Sequence, residues 1–272
     1  MTTDNDAGND LDLDALGALY DKARALEDAG RWPEAAAAFR ACLALDPDDH
    51  CGVALRLAAH GDAAPTAAPP AYVATLFDQQ AEAFDDILVG QLFYDVPALA
   101  RQMVGRFGKE PFRILDLGCG TGLCGAAFRD IAKEIVGVDL AADMLSLADE
   151  RGVYDDLYVG EAIAFLAGWD EDPFDLVVAA DVLPYLGPLD GFAKGAANAL
   201  APGGLIVAST ERLEAGEWRV LPSHRFAHSS DYAVTALKAA RLELLALEPI
   251  TVRHEEGAPV PGDLILAQRA GA

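Results

Sequence analysis

One nine-residue stretch limits the folds open to this chain more than any other. Ile114-Leu115-Asp116-Leu117 is a short apolar run interrupted by an acid. It leads straight into Gly118-Cys119-Gly120-Thr121-Gly122, with three glycines in five residues. Without Cβ atoms the main chain can turn sharply and lie against a ligand, while its N–H groups and those of a following helix stay free. The pattern predicts a strand, a ligand-holding loop and a helix, the opening unit of an open α/β sheet. A bare strand-to-helix turn is the competing explanation, and it does not need so many glycines.

From Phe112 onward the chain keeps that rhythm. The runs FRILDL, EIVGVDL, DLYVG, FDLVVAAD, GLIVAST, LELLALEPI and DLILAQR alternate with helical stretches, and most read as strands buried on both faces. The fold class is therefore α/β: a doubly wound, mostly parallel seven-stranded sheet. Only TVRHEEGAPVPG, too proline-rich for a crossover helix, separates the last two runs. They are expected to pair as an antiparallel hairpin at one edge.

Ahead of this lies a different kind of sequence. Residues 1–10 are acidic, without apolar period, and are expected to be a frayed tail. Residues 11–60 carry a helical pattern broken at Gly30, a helical hairpin with Pro33 placed for the first turn of its second helix. Residues 61–70, GDAAPTAAPP, read as a linker, and 71–110 as short helices leading into a catalytic part at 111–272. The segment GRWPEAAAAFRACLALDP, with Gly30, Ala35, Phe39, Cys42 and Pro47, resembles the second helix of a tetratricopeptide repeat. Its first helix matches poorly, and a lone repeat is expected to pack on the main domain, with a protein partner as the alternative.

Charge removes some functions. Forty-four Asp and Glu against 20 Lys and Arg leave a net charge of −24, a field hostile to phosphate backbones, so nucleic acid is a poor partner. No apolar run is long enough to span a bilayer, and the first residues lack the features of a secretory signal; the expectation is a cytoplasmic protein without membrane attachment. Cys42, Cys51, Cys119 and Cys124 have neither disulfide nor zinc spacing and read as reduced thiols.

Two ligands compete for the glycine loop. Gly120-Thr121-Gly122-Leu123-Cys124-Gly125 also satisfies the dinucleotide pattern G-x-G-x-x-G. Asp116, two residues before Gly118, would repel a pyrophosphate and attract a cationic head. Asp139 ends the second strand, where an acid can accept both hydroxyls of an unphosphorylated ribose. An amino acid head joined to adenosine is S-adenosylmethionine. Over about residues 72–270 the chain resembles the class I S-adenosylmethionine-dependent methyltransferases, and with its N-terminal helices it looks like their bacterial group with tetratricopeptide-like repeats.

That resemblance implies site residues. Asp116, Gly118, Cys119, Gly120 and Gly122 would surround the methionine part and Asp139 the ribose. Leu140 and Met144 would pack on the adenine, and Glu161 and Ala162 would meet its edge. Ala180, Asp181 and Val182 would border the reactive methyl, with Gln80 or Phe84 approaching from a lid. Methyl transfer from a sulfonium needs chiefly a positioned nucleophile and exclusion of water. Where the acceptor must lose a proton, Tyr185 and His228 form the candidate pair, with His224 nearby and Arg225 to orient an acidic group. The two histidines lack a third ligand for a metal. The expected function is methyl transfer to an O, N or C atom of a small molecule. A dinucleotide-dependent oxidoreductase and a protein-binding module with a vestigial site remain alternatives.

Overall fold

Residues alternate strictly between two cores. The computed structural model describes residues 11–107 and 112–271; the expected tail at 1–10 lies outside the described residues. In strand β1 (Phe112–Leu117) Leu115 and Leu117 face one apolar cluster and Ile114 the opposite one. Strands β2 (Ala132–Asp139), β4 (Phe174–Ala179) and β5 (Leu200–Glu211) repeat the period of two. Val136, Val177 and Ile206 join the first cluster, while Ile135, Val178 and Val207 join the second. Both faces of these strands are dry, as a parallel sheet under helices requires.

The remaining strands are β3 (Asp156–Val159), β6 (Trp218–Val220), β7 (Phe226–His228), β8 (Leu242–Glu255) and β9 (Ala258–Arg269). The large sheet has the order β3-β2-β1-β4-β5-β9-β8, parallel from β3 to β5, with β9 antiparallel to β5 and to β8. Since β1 lies between β2 and β4, connections leave it in opposite directions, and a crevice opens at its carboxyl end. Helices α6 (Leu123–Phe128), α7 (Ala142–Glu150), α8 (Ala162–Gly168), α9 (Asp190–Ala199) and α10 (Ser230–Ala239) flank the sheet.

Upstream, α1 (Leu13–Asp28) and α2 (Trp32–Leu45) form a hairpin, followed by α3 (Val53–Ala59), α4 (Pro70–Asp78) and α5 (Val96–Val104). Phe39, Ala23, Ala35 and Leu16 fill the hairpin's core. Asp49 caps α3 by accepting the N–H of Val53 at 2.7 Å and of Ala54 at 2.9 Å. Leu55 of α3 is buried in a cluster with Val73, Val220 and Phe226, so this helix is tied to the rest of the fold.

Three expectations change. The stretch TVRHEEGAPVPG is not a loop: β8 and β9 run through it and turn at Glu256-Gly257, because Val252 and Gly262 are drawn into the sheet's buried face. The linker 61–70 is pinned rather than free. Ala67 bridges Leu186, Ala68 donates its N–H to Tyr185 at 2.8 Å, and Gly187 donates to the Thr66 carbonyl at 2.9 Å. Its small side chains let the backbone lie flat against that segment. Finally, LPSHRFAHSSDY contains β7, paired with β6 in a separate two-stranded sheet.

Candidate active site

At the carboxyl end of β1 the glycine loop adopts the left-handed backbone that its composition invites, with φ of 63° at Gly118, 53° at Gly120 and 94° at Gly122. A Cβ on Gly118 would stand 2.5 Å from Val182 Cγ2, whereas one on Gly120 would meet only Phe84, at 4.0 Å. The open side of Gly120 therefore faces a cavity of about 540 Å³ at the crevice mouth.

Asp139, at the tip of β2, lines this cavity. Its Oδ2 accepts the Gly120 N–H at 2.8 Å and its Oδ1 the Ala141 N–H at 2.9 Å, fixing the carboxylate and leaving a lone pair on each oxygen. Burial pushes its pKa up. Asp116 takes a different course. Its carboxyl is 2% exposed, is absent from the cavity wall and accepts Tyr154 Oη–H at 2.6 Å. Burial raises its pKa to about 7. Of the two ways in which Asp116 is expected to attract a cationic head, directly or through water, direct contact is not favoured: the alternation of β1 turns its side chain into the protein, where it braces the loop through Tyr154. Tyr154 Oη in turn accepts the Gly125 N–H at 3.2 Å.

Other predicted residues also separate. Gly118, Cys119, Gly120, Leu140, Glu161, Ala162, Ala180, Asp181, Val182 and Phe84 line the cavity. Gly122 does not; its φ serves the turn into α6. Met144 is fully buried below the lid with Ala81 and Ala141, away from the wall, so the adenine contact expected of it is withdrawn. Gln80 is exposed, leaving Phe84 as the lid contact. Glu161 has both oxygens committed to capping α8, accepting the N–H of Ile163 at 3.0 Å and of Ala164 at 2.7 Å.

The far end of the cavity holds the charges. Tyr185 lies under the guanidinium of Arg225, 5.2 Å from ring centroid to Cζ, and its buried hydroxyl has no hydrogen-bond partner among the described residues. Burial raises the Tyr185 pKa to about 12, making it a donor and a poor base. His228 is not on the wall. It is fully buried, its Nε2 donates to the Gly187 carbonyl at 2.8 Å, and burial lowers its pKa. β7 carries it behind the wall, so the pairing with Tyr185 is corrected. His224 lies near Arg56, its pKa lowered to about 4 by burial first and then by that arginine.

The residues in place are Asp181 and Arg225. Asp181 has φ 62° and donates its N–H to Ser209 Oγ at 2.8 Å. Behind it, Arg253 is 1% exposed and donates to Glu211 Oε1 at 2.7 Å. Arg253 and Glu211 sit on late strands far from the motif, and no sequence signal marks them. The walls from Thr66 to Pro70 were hidden by their linker-like composition.

A lid closes the near side. Phe77 and Phe84 stack edge to face at 5.8 Å. Asp85 accepts Thr121 Oγ1–H at 2.6 Å and pairs with Arg151, which also donates to the Thr121 carbonyl. One side chain thus ties the lid to the glycine loop.

Comparison with known proteins agrees with this geometry. Residues 115–206 match a family model described as a methyltransferase domain. The ubiquinone biosynthesis O-methyltransferase of Idiomarina loihiensis is 36% identical over 118 residues, 42% of this chain and 47% of that protein. The chain thus spans about half the length of this curated relative. Among solved structures, the Burkholderia thailandensis 1,6-didemethyltoxoflavin N1-methyltransferase has 19% identity and a TM-score of 0.58, covering 76% of this chain and 93% of that one. The [4+2]-cyclase SpnF has 17% identity and a TM-score of 0.61, covering 74% and 96%. Residues 115–206 thus match a methyltransferase domain, and the sheet that holds them is Rossmann-like.

S-adenosylmethionine, the cofactor of this domain class, fits the residues present. Gly120 offers a backbone cradle that a Cβ would fill, Asp139 keeps lone pairs for a diol, and Leu140, Ala162 and Ile163 form an apolar slot beside it. No helix among the described residues is long and apolar enough to cross a membrane.

Proposed function

We propose that this protein transfers a methyl group from S-adenosylmethionine to an O, N or C atom of a small molecule. The observation that carries the proposal is Asp139, clamped by the Gly120 and Ala141 N–H groups at the cavity rim, where a ribose diol can be held. When bound, the cofactor supplies an already activated methyl group. The glycine loop supports its amino acid end, Asp139 its ribose, and Leu140 with Ala162 its adenine. Phe77, Phe84 and Leu88 form an apolar cover that excludes water. A deprotonated acceptor is favoured by Arg225, and Asp181 can take its proton.

The fold relatives include a protein named as a cyclase, so binding alone is not a sufficient test. The decisive experiment combines calorimetric titration with S-adenosylmethionine and transfer of labelled methyl from the cofactor to fractionated metabolites. Saturable binding that Asp139→Ala weakens at least about tenfold, with label entering small molecules, is the expected result. Folded protein that ignores the cofactor at millimolar concentration overturns it. The acidic chain is assigned to the cytoplasm in the same proposal. Its N-terminal helices pack on the catalytic part; capture of a protein partner by the tetratricopeptide-like hairpin is the rival role.

A further inference from the structure

The charged end of the cavity holds more polar groups than methyl transfer requires, and several lack partners. Arg225 faces the cavity, yet its nearest carboxylates are 3.4 Å away (Asp181 Oδ2) and 3.7 Å away (Glu211 Oε1). Charged hydrogen bonds normally close to about 2.7–2.9 Å. Arg253 behind it takes Glu211 at 2.7 Å and Glu255 at 2.6 Å. Two guanidiniums therefore share the buried carboxylates: Arg253 has the shorter contacts and an Nη1 without a hydrogen-bond partner among the described residues, and Arg225, in contact with the cavity, has only the longer ones. Its neighbouring carboxylates and its Tyr185 platform keep it charged. Asp181 and Tyr185 also line the wall, and just beneath its surface Asp181 Oδ1 and Tyr185 Oη have no hydrogen-bond partner among the described residues. An unpartnered carboxylate oxygen at such a place is costly unless a ligand supplies the donor.

We propose that Arg225, Asp181 and Tyr185 form an acceptor subsite for a molecule with an apolar body, a carboxylate, and beside it the hydroxyl or amino group that is methylated. This rests on the methyltransferase function proposed above. The carboxylate lies against the Arg225 fork, and the neighbouring O–H or N–H donates to Asp181 Oδ1. Tyr185 Oη donates to the same ligand. Val73, Leu88 and Pro97 pack on its body.

At this end of the cavity Asp181 and Glu211 offset Arg225 and Arg253, while Glu255 is 43% exposed and screened by water. The −24 chain would otherwise repel an anionic acceptor, so a guanidinium directed into the cavity is needed to hold one.

The test uses the full chain saturated with S-adenosylhomocysteine, titrated calorimetrically with 2-hydroxybenzoate and 2-aminobenzoate and with the matching amides. At least one acid is expected to bind about tenfold or more tightly than its amide. Arg225→Met removes that difference and Arg225→Lys restores part of it, while S-adenosylhomocysteine affinity stays within about threefold of the parent. Asp181→Asn weakens the acid less than Arg225→Met does. Acids that bind no better than amides, or not at all, overturn the proposal, as does a preference that survives Arg225→Met. If S-adenosylhomocysteine itself fails to bind the parent, the methyltransferase assignment has failed instead.

Discussion

Gly118 couples backbone and packing at a single position. Its φ of 63° is one that an L side chain adopts at a cost of about 1–2 kcal/mol, and any Cβ collides with Val182. Gly118→Ala is expected to lower the unfolding midpoint in denaturant, and adding Val182→Ala to recover only the collision's share. Asp116 gives a pH signature. Folded, its pKa is about 7; unfolded, it is about 3.9. Between these values the folded chain holds a proton that the unfolded chain has released, so stability falls as pH rises from about 4 to about 7 and then levels off. The full effect is on the order of 4 kcal/mol. Asp116→Asn should flatten the dependence of the thermal midpoint across that window, leaving a smaller slope from Asp139, which burial shifts in the same direction. A midpoint whose fall with pH is unchanged in the variant would contradict this account.

At the scale of elements, the lid owes its position to one acidic side chain. Asp85 and Arg151 are partly exposed, and an isolated pair there is worth little. Here both also bind Thr121, in the loop that carries Gly120, so the pair acts within a network. Arg151→Met is expected to cost about 1 kcal/mol of cofactor affinity, roughly fivefold, appearing mainly as faster release in stopped-flow displacement. Unchanged release would mean that Phe77 and Phe84 hold the lid unaided. The β8-β9 hairpin has the complementary role at the far end: it carries Arg253 behind Arg225. Arg253→Ala leaves the buried Glu211 only the longer contact to Arg225 at 3.7 Å, so a loss of folded protein is expected, whereas Arg253→Met with Glu211→Leu recovers stability.

For the whole molecule, the N-terminal helices and the sheet share one cluster. Leu55 is completely buried against Val73, Val220 and Phe226. Glu27 of α1 reaches across to Arg56 at 2.5 Å. Removing residues 1–60 bares that cluster, and the truncated protein is expected to aggregate or melt several degrees lower in differential scanning calorimetry. A truncation as stable and soluble as the parent would favour a separate docking function for these helices.

Local spacing determined much of this protein. The strand, the three glycines and Asp139 are close in sequence, and their backbone demands are local, so the fold class and the glycine-loop turn could be read directly. The short, nearly continuous apolar runs likewise announced a sheet buried on both faces. Tertiary structure decided the rest. Which way Asp116 points, that His228 is walled off, and that a linker-like stretch forms a cavity wall all depend on neighbours distant in the chain. The charged acceptor end joins Asp181, Glu211, Arg225 and Arg253 from four separate segments. Asp181 and Arg225 stand out singly in the sequence and Glu211 and Arg253 not at all, and only burial, which removes water as their common partner, makes the four answer to one another.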